Sequence, residues 1–572
     1  MVIIFHDLTS LQFIMASIEL LETRGEDCGS SQEKSVSPDL RQSVEDVIEK
    51  IQERLSLRGI CIMVLIMTVH LSSIFSIQFP VYGGFIPYTE WKCVEGSGRC
   101  EARVRAFSWA NPGASSPFNR KVLCGTEGEP ALQIGVDFMW DVAKNRTSYA
   151  VDWGLYCATE YKATLLSSLY FVGAVIGLFT GNFFYDTFGR RRVCMIGYLV
   201  EGVFMMASAA APNLSTLMAL RVFGGIGTYL GLSGMYVYVL ECTAIKWRAF
   251  ISSMLAVMWG VGMLAFAPTL SYFITNWRIL SVAGGACMML TVSTWFLVPP
   301  SPRHLMENQG DQKGAVRSLK RFVWIFRASD RVDFNSLKLK SSQNCKREMS
   351  YLHSLRDFLN YNELLIQLLI QVFQWMIVAF LYFGFTFGWS KLGSNMYLSY
   401  VFAGIAEIVA ALGCWFGQDV LGRKLTMISC FFVAGSSFLL ALIPLSFGTD
   451  ILTMEQLMCL IGSMFVAGAW GTLYLYVTEQ SPTPHRGKMA AICSIGARLG
   501  SFAGPQASLL FNVDKSGALV LFAVLAFAAG LASLRLPETK GLQSPNNAEE
   551  VQFRRQRLIE MRNGNIFKGC FT

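Results

Sequence analysis

Asp186-Thr187-Phe188-Gly189-Arg190-Arg191 returns 233 residues later as Asp419-Val420-Leu421-Gly422-Arg423-Lys424. Outward from these two turns, other residues repeat at nearly the same offset. Glu241 stands seven residues before Arg248, and Glu479 stands seven before Arg486, 238 residues on. Pro299 is answered by Pro537, again 238 residues on. Three motifs at almost one offset mark an internal duplication. An acidic residue beside a Gly turn and two cations can pair with helix ends and with charges on the facing half, contacts that close one conformation and break in another. The expected gating residues are therefore Asp186, Gly189, Arg190, Arg191, Glu241 and Arg248, with Asp419, Gly422, Arg423, Glu479 and Arg486 in the second copy. Topology-setting positive charge is the plainer reading of the Arg cluster, but it leaves the recurrence of Asp186, Gly189 and Glu241 without a reason.

Between and around these turns lie long apolar runs. The chain has 572 residues, 53% hydrophobic and 15% charged, with mean hydropathy +0.41. Soluble domains carry about 25% charged residues, so a water-exposed globule is excluded, as are collagen, a disordered tail and a disulfide miniprotein. A crossing helix needs about 20 mostly apolar residues. Twelve stretches qualify: 58–79, 161–184, 193–211, 216–239, 250–274, 279–298, 363–387, 395–417, 425–447, 454–478, 488–511 and 516–534. The expected fold is an all-α membrane protein of twelve transmembrane helices in two six-helix bundles, parallel repeats related by an axis along the membrane normal. Closely spaced small residues in spans four, five and ten (Gly224, Gly225, Gly227, Gly231; Gly260, Gly262; Gly462, Gly468, Gly471) predict helix-facing surfaces.

The short loops set the orientation. Arg190–Arg192, Lys246 with Arg248, Arg423 with Lys424, and Arg486 with Lys488 fall on one side, whereas the alternate loops hold at most one basic residue each, Arg278, Lys391 or Lys515. That bias predicts cytoplasmic termini. The organisation is a tail at 1–57, a bundle at 58–298 with an outer loop at 80–160, a charged linker at 299–362, a second bundle at 363–534 and a tail at 535–572. Met1–Leu21 reads as a loosely structured tail without a cleavable signal. Leu40, Val44, Val47, Ile48, Ile51 and Leu55 predict an amphipathic helix lying on the inner membrane surface, and 314–326 predicts another in the linker. A net charge of +8 here reflects basic loops near anionic lipid, not a nucleic-acid partner. The outer loop holds Cys93, Cys100, Cys124 and Cys157, which read as two disulfides in one of three connectivities. The competing zinc cluster lacks a close Cys pair, so no metal is expected. Asn145-Arg146-Thr147 is a glycosylation acceptor.

Several of these pieces resemble one family. They are the helix leading into span one, Val151-Asp152-Trp153-Gly154-Leu155-Tyr156-Cys157, the Gly189–Arg192 turn, Tyr238-Val239-Leu240-Glu241 with Arg248, and Pro300-Ser301-Pro302-Arg303. Tyr474-Leu475-Tyr476 through Glu479 with Arg486, and Pro537-Glu538-Thr539-Lys540-Gly541, complete the set. Together they resemble the major facilitator superfamily and, within it, the organic cation, anion and zwitterion (carnitine-type) transporters of solute carrier family 22. Sugar porters share the Ser-Pro-Arg and Pro-Glu-Thr-Lys-Gly segments; the long outer loop is what narrows the match. Two positions depart from the pattern, Asn182 where the family has Gly and Pro300 where it has Glu.

Ionisable residues at bilayer depth cost about 2.5–3.5 kcal/mol or more, so they face a cavity or a partner. Arg498 falls near the middle of span eleven, roughly 15 Å deep at 1.5 Å per residue, and Glu407 lies at comparable depth in span eight. Glu201 sits in span three and Arg221 in span four. The resemblance implies that Gly496-Ala497-Arg498-Leu499-Gly500 belongs with anion and carnitine carriers, and that Glu407 belongs with cation and zwitterion carriers. The two would hold the ends of a zwitterion, or form a plain structural ion pair. Tyr382, Phe383 and Phe385 in span seven, with Trp470, Tyr474 and Tyr476 in span ten, are the candidate ring surfaces for an organic cation; ordinary packing is the alternative.

No phosphate loop, HExxH or Gly-x-Ser-x-Gly is present, so neither an enzyme nor an ATP-driven pump is expected, and no cofactor. The expectation is a polyspecific plasma-membrane carrier of small organic ions working by alternating access, with or without a coupling ion. Its rivals are a sugar-porter-like facilitator and a non-transporting receptor or scaffold. Substrate charge and oligomeric state stay open.

Overall fold

Among the described residues, twelve long helices coincide with the twelve apolar runs. The computed structural model describes residues 41–42, 44–53, 57–84, 90–93, 136–139, 147–155, 159–294, 298–307, 310–328, 332, 334, 338–339, 360–392, 396–443, 452–482, 485–540, 545 and 548–553. Two compact units divide the chain, Met1–Gln42 and Ser43–Thr572. The first contributes only Arg41–Gln42 to the described residues, so the predicted tail at Met1–Leu21 lies outside them.

Within the second unit, the first half contains α1 (Leu57–Gly83), α2 (Glu160–Phe188), α3 (Arg190–Ala207), α4 (Leu214–Glu241), α5 (Ile245–Val261) and α6 (Trp277–Thr294). The second half contains α7 (Asn362–Leu392), α8 (Met396–Val420), α9 (Arg423–Leu440), α10 (Leu452–Gln480), α11 (Arg486–Ala507) and α12 (Lys515–Ser533). Among the described residues nine helices are long and apolar enough to cross a membrane, and Trp277–Ser293 is a shorter apolar one. The α11 helix carries Arg486, Lys488 and Arg498 within 22 residues, which lowers its hydropathy. Side chains such as Phe183 and Leu290, each 70% exposed, point outward. In water such a belt would be an aggregation liability; against lipid it costs nothing.

Packing follows the small residues. In α4, Gly225 lies so close to α2 that a Cβ there would meet the Tyr170 carbonyl oxygen at 2.1 Å, and one at Gly227 would meet the Glu201 amide nitrogen of α3 at 2.5 Å. Lipid is as apolar as leucine, so this backbone approach, not water exclusion, holds the helices together. Gly471 departs from the expectation, with open space beside it. The halves meet along α2 with α11 and α5 with α8. At the second seam α5 passes through a π turn, Gly262–Phe266, before continuing as Ala267–Phe273. Pro268 has no N–H to give the turn before it, a frequent cause of such irregularity.

At the end of the bundle bearing the basic loops, the helix Val44–Ile51 buries Val44, Val47, Ile48 and Ile51. Its apolar face packs against protein, where its pattern suggested the inner membrane surface. The Gln52 side chain donates to the Cys242 carbonyl (2.8 Å) and accepts from the Ala244 amide (2.7 Å), while Glu45 pairs with Arg303 at 2.8 Å. These bonds fasten the helix to the α4–α5 loop and to the helix Pro302–Glu307. The linker helix Gln312–Phe326 forms as expected, started by Asp311, whose side chain accepts from the Gly314 amide.

At the far end, Glu90–Cys93 pairs antiparallel with Val136–Met139. Asp152 accepts from the Trp277 indole at 2.8 Å, and the Tyr149 hydroxyl donates to the Pro80 carbonyl, which anchors the loop's last turn to α6 and α1. Burial pushes the Tyr149 phenol well above its usual range. Cys100, Cys124, Cys157 and Asn145 lie outside the described residues, as does the Cys93 side chain.

Candidate functional site: two basic-end clamps and a cavity between the halves

The duplicated motifs build the same clamp twice. In the first half, Arg190 Nε lies 3.1 Å from Glu241, and the Ser301 hydroxyl donates to the same carboxylate at 2.7 Å. In the second, Arg423 reaches Glu479 at 2.9 Å, and the Thr539 hydroxyl donates to it at 2.6 Å. Each arginine also donates to a carbonyl five residues back, Tyr185 or Gln418. Gly189 and Gly422 take φ of 85° and 89° between the paired helices, a region that penalises any side chain. Burial pushes the Cys242 thiol well up, so it sits beside Glu241 as a neutral group.

Contrary to the expectation of contacts with the facing half, these ion pairs join helices of one half and do not cross to the other. Asp419 is exposed, the side chains of Asp186 and Arg248 lie outside the described residues, and Arg191 and Arg486 are partly buried at the starts of α3 and α11. The copies also differ. Glu538 accepts from the Arg423 and Lys424 amides at 3.0 and 3.1 Å, capping α9. The equivalent residue in the first half is Pro300, and His304 contacts Arg190 there instead.

Tyr476 is a second correction. It is fully buried, and its hydroxyl donates to the Pro537 carbonyl at 2.5 Å. Tyr238 does the same to Pro299 at 2.6 Å. Tyr476 is thus the second copy of a structural tie and does not line the cavity. Phe385 packs into an aromatic cluster with Phe438 (4.6 Å between centroids) and Phe522 (5.0 Å) and also borders the cavity described below.

The remaining candidates gather between the halves. Arg498 is buried, donates to the Tyr229 hydroxyl of α4 at 2.5 Å, and holds its guanidinium 4.5 Å from that ring's centroid. Among the described residues no carboxylate pairs with it, so the structural ion pair with Glu407 is not formed. Glu407 borders a cavity with Tyr382, Met263 and Trp389, with about 20 Å³ of room for a water-sized sphere. That holds one water, not an organic ion. Trp259 of α5 donates to the Tyr382 hydroxyl at 2.7 Å, and Trp470 lies 5.5 Å from the Tyr382 ring and 6.2 Å from Phe383. Phe383 also meets Phe171 of α2 at 4.5 Å. Tyr474 stands nearer the basic end, against Trp375 and Tyr236. Sequence reasoning missed Tyr229 and Trp259; both sit in Gly-rich helices where aromatics read as packing.

The hydrogen bonds described between the halves lie at this level or beyond it, towards the far end. Thr164 donates to Gln506 at 3.0 Å, Ser168 to the Phe502 carbonyl at 2.7 Å, and Tyr397 to the Ser271 carbonyl at 3.3 Å. The structure is therefore closed at the far end.

Two stretches, residues 143–505 and 418–571, match the profile of the Major Facilitator Superfamily. The chain belongs to the Major Facilitator Superfamily. Among curated members it is 28% identical over 429 residues to solute carrier family 22 member 15 of Xenopus tropicalis, covering 73% of this chain and 77% of that one. It is 26% identical over 437 residues to the human organic cation/carnitine transporter 2, covering 76% of each. A Drosophila melanogaster organic cation transporter protein is 25% identical over 426 residues, covering 72% and 75%. Of solved structures, the inward open xylose transporter XylE from E. coli superposes with a TM-score of 0.55 at 17% identity, covering 87% of this superfamily member and 99% of XylE. That likeness establishes the fold.

Proposed function

We infer that this superfamily member carries small organic ions across the membrane by alternating access, and that zwitterions of the carnitine kind best fit the charged and aromatic groups at the junction of the halves once the closed cavity widens. The observation that carries the reading is Arg498, a buried guanidinium at the junction of the halves with a phenol, not a carboxylate, as its partner. A substrate carboxylate can displace that phenol and gain a charge-assisted bond. Glu407 and the Tyr382 and Trp470 rings would receive the cationic end. The relatives named for organic cations and carnitine support this class and favour a carrier over a scaffold. The basic loops and termini face the cytoplasm of the plasma membrane in this reading, so the closed far end is extracellular and the two clamps set the stability of each half at the inner face.

The test is uptake of carnitine, tetraethylammonium and p-aminohippurate side by side in proteoliposomes, with and without a sodium gradient. Saturable carnitine uptake is expected. Hexose competition with no organic-ion uptake would revive the sugar porter, and no flux of any probe would leave the scaffold.

A further inference from the structure

Glu201 of α3 is fully buried at bilayer depth and has no part in the clamps or the cavity. Its Oε2 accepts from the Ser73 hydroxyl of α1 at 3.4 Å, and its Oε1 is buried without a hydrogen-bond partner. Arg221 of α4 is close enough to act on it electrostatically, yet it is committed elsewhere. Its Nη2 donates to the Ser76 carbonyl at 2.7 Å, and its guanidinium lies over Tyr170, 4.4 Å from the ring centroid. No ion pair joins them among the described residues. The other groups facing Glu201 are hydroxyls: Ser76 of α1, Tyr170 of α2 and Thr228 of α4, the last two bonded to each other at 2.5 Å. Tyr198 of its own helix is also within reach, and α6 brings no charge to this level, since Arg278 is held by the Ala209 and Ala211 carbonyls at the far end. Thr228 is followed on α4 by Tyr229, the partner of Arg498. One helix thus faces the buried carboxyl with one residue and holds the Arg498 guanidinium with the next.

We propose that Glu201 is the proton-binding site of a substrate–proton cotransport cycle, exchanging its proton with water when its half opens and coupled to Arg498 through Thr228 and Tyr229. A carboxylate without a bonded counter-ion is expensive in a closed membrane interior, whereas the same group carrying a proton is not. The closed state therefore favours the protonated carboxyl, and protonation becomes a condition for crossing. A substrate that breaks the Tyr229–Arg498 bond shifts the helix that also contacts Glu201, which links the two events. Sodium is the competing cation; the nearby Arg221 charge opposes a fixed metal ion more than it opposes a proton shared within a carboxyl group.

This proposal rests on the carrier reading, and the experiment separates the two. Full-length protein is reconstituted in liposomes containing a pH-sensitive dye, and carnitine, tetraethylammonium or p-aminohippurate is added as labelled tracer. Tracer uptake with matching proton entry is expected, and an inward gradient of one pH unit should raise accumulation by up to about tenfold for one proton per cycle. E201Q should retain tracer exchange at equilibrium but lose proton entry, and E201D should retain both. Tracer uptake without proton movement in the unmodified protein, uptake that requires sodium and ignores pH, or proton entry surviving in E201Q would each overturn the proposal while leaving the carrier. Absence of any tracer uptake would overturn both.

Discussion

Arg498 shows how far one residue can be read from sequence. Its position and charge were legible because an arginine inside an apolar run must face something polar. Its partner was not, because Tyr229 lies 269 residues away and nothing in either segment encodes that side chains of α4 and α11 meet across the halves. Replacing Arg498 with Asp should shift uptake from zwitterions and anions towards cations; unchanged selectivity at normal surface expression would remove it from the site. The milder R498Q removes a bond to charge worth about 1.5–3 kcal/mol, so KM for a carboxylate-bearing substrate should rise roughly ten- to hundredfold. Tyr476 shows the opposite limit. The sequence set it among cavity aromatics, yet its face of α10 turns to Pro537, and only the match with Tyr238 and Pro299 reveals why.

At the scale of elements, the twelve helices were legible from length and apolarity because a bilayer permits little else. The π turn in α5, the docking of Val44–Ile51 and the interior partners of each clamp were not, since they depend on which surfaces meet. The clamps invite a paired comparison. Gly422→Ala puts a Cβ 2.9 Å from the Glu538 carboxylate at a φ of 89°, and Gly189→Ala places one near the His304 ring at 85°. Each should destabilise its half by about 1–3 kcal/mol, seen as a lower melting temperature in detergent. E538Q weakens the cap on α9 and should cost about 0.5–2 kcal/mol. A melting temperature unchanged in E538Q would show that the Arg423–Glu479 pair holds that turn unaided.

For the whole molecule, the duplication in the sequence anticipated two similar halves, and the halves indeed repeat their clamps in Arg, Glu and hydroxyl, the second arginine bonding its glutamate through both Nε and Nη2. What it did not convey is the state of the gap between them. Thr164, Ser168 and Gln506 tie α2 to α11 at the far end. Cysteines at Thr164 and Gln506, joined by oxidation or a short crosslinker, should hold that end shut and abolish uptake, and reduction should restore it. Full activity in the crosslinked protein would mean that this seam never opens during turnover.

The bond between Tyr229 and Arg498 has one further consequence. In the proposed cycle the vacant transporter is stoppered by its own phenol, which occupies the guanidinium that the guest's carboxylate would take. In that cycle a traveller evicts the phenol before the seam loosens, so drift of the unloaded protein between its states is slowed without being blocked, and leakage of smaller solutes is held down at the same point.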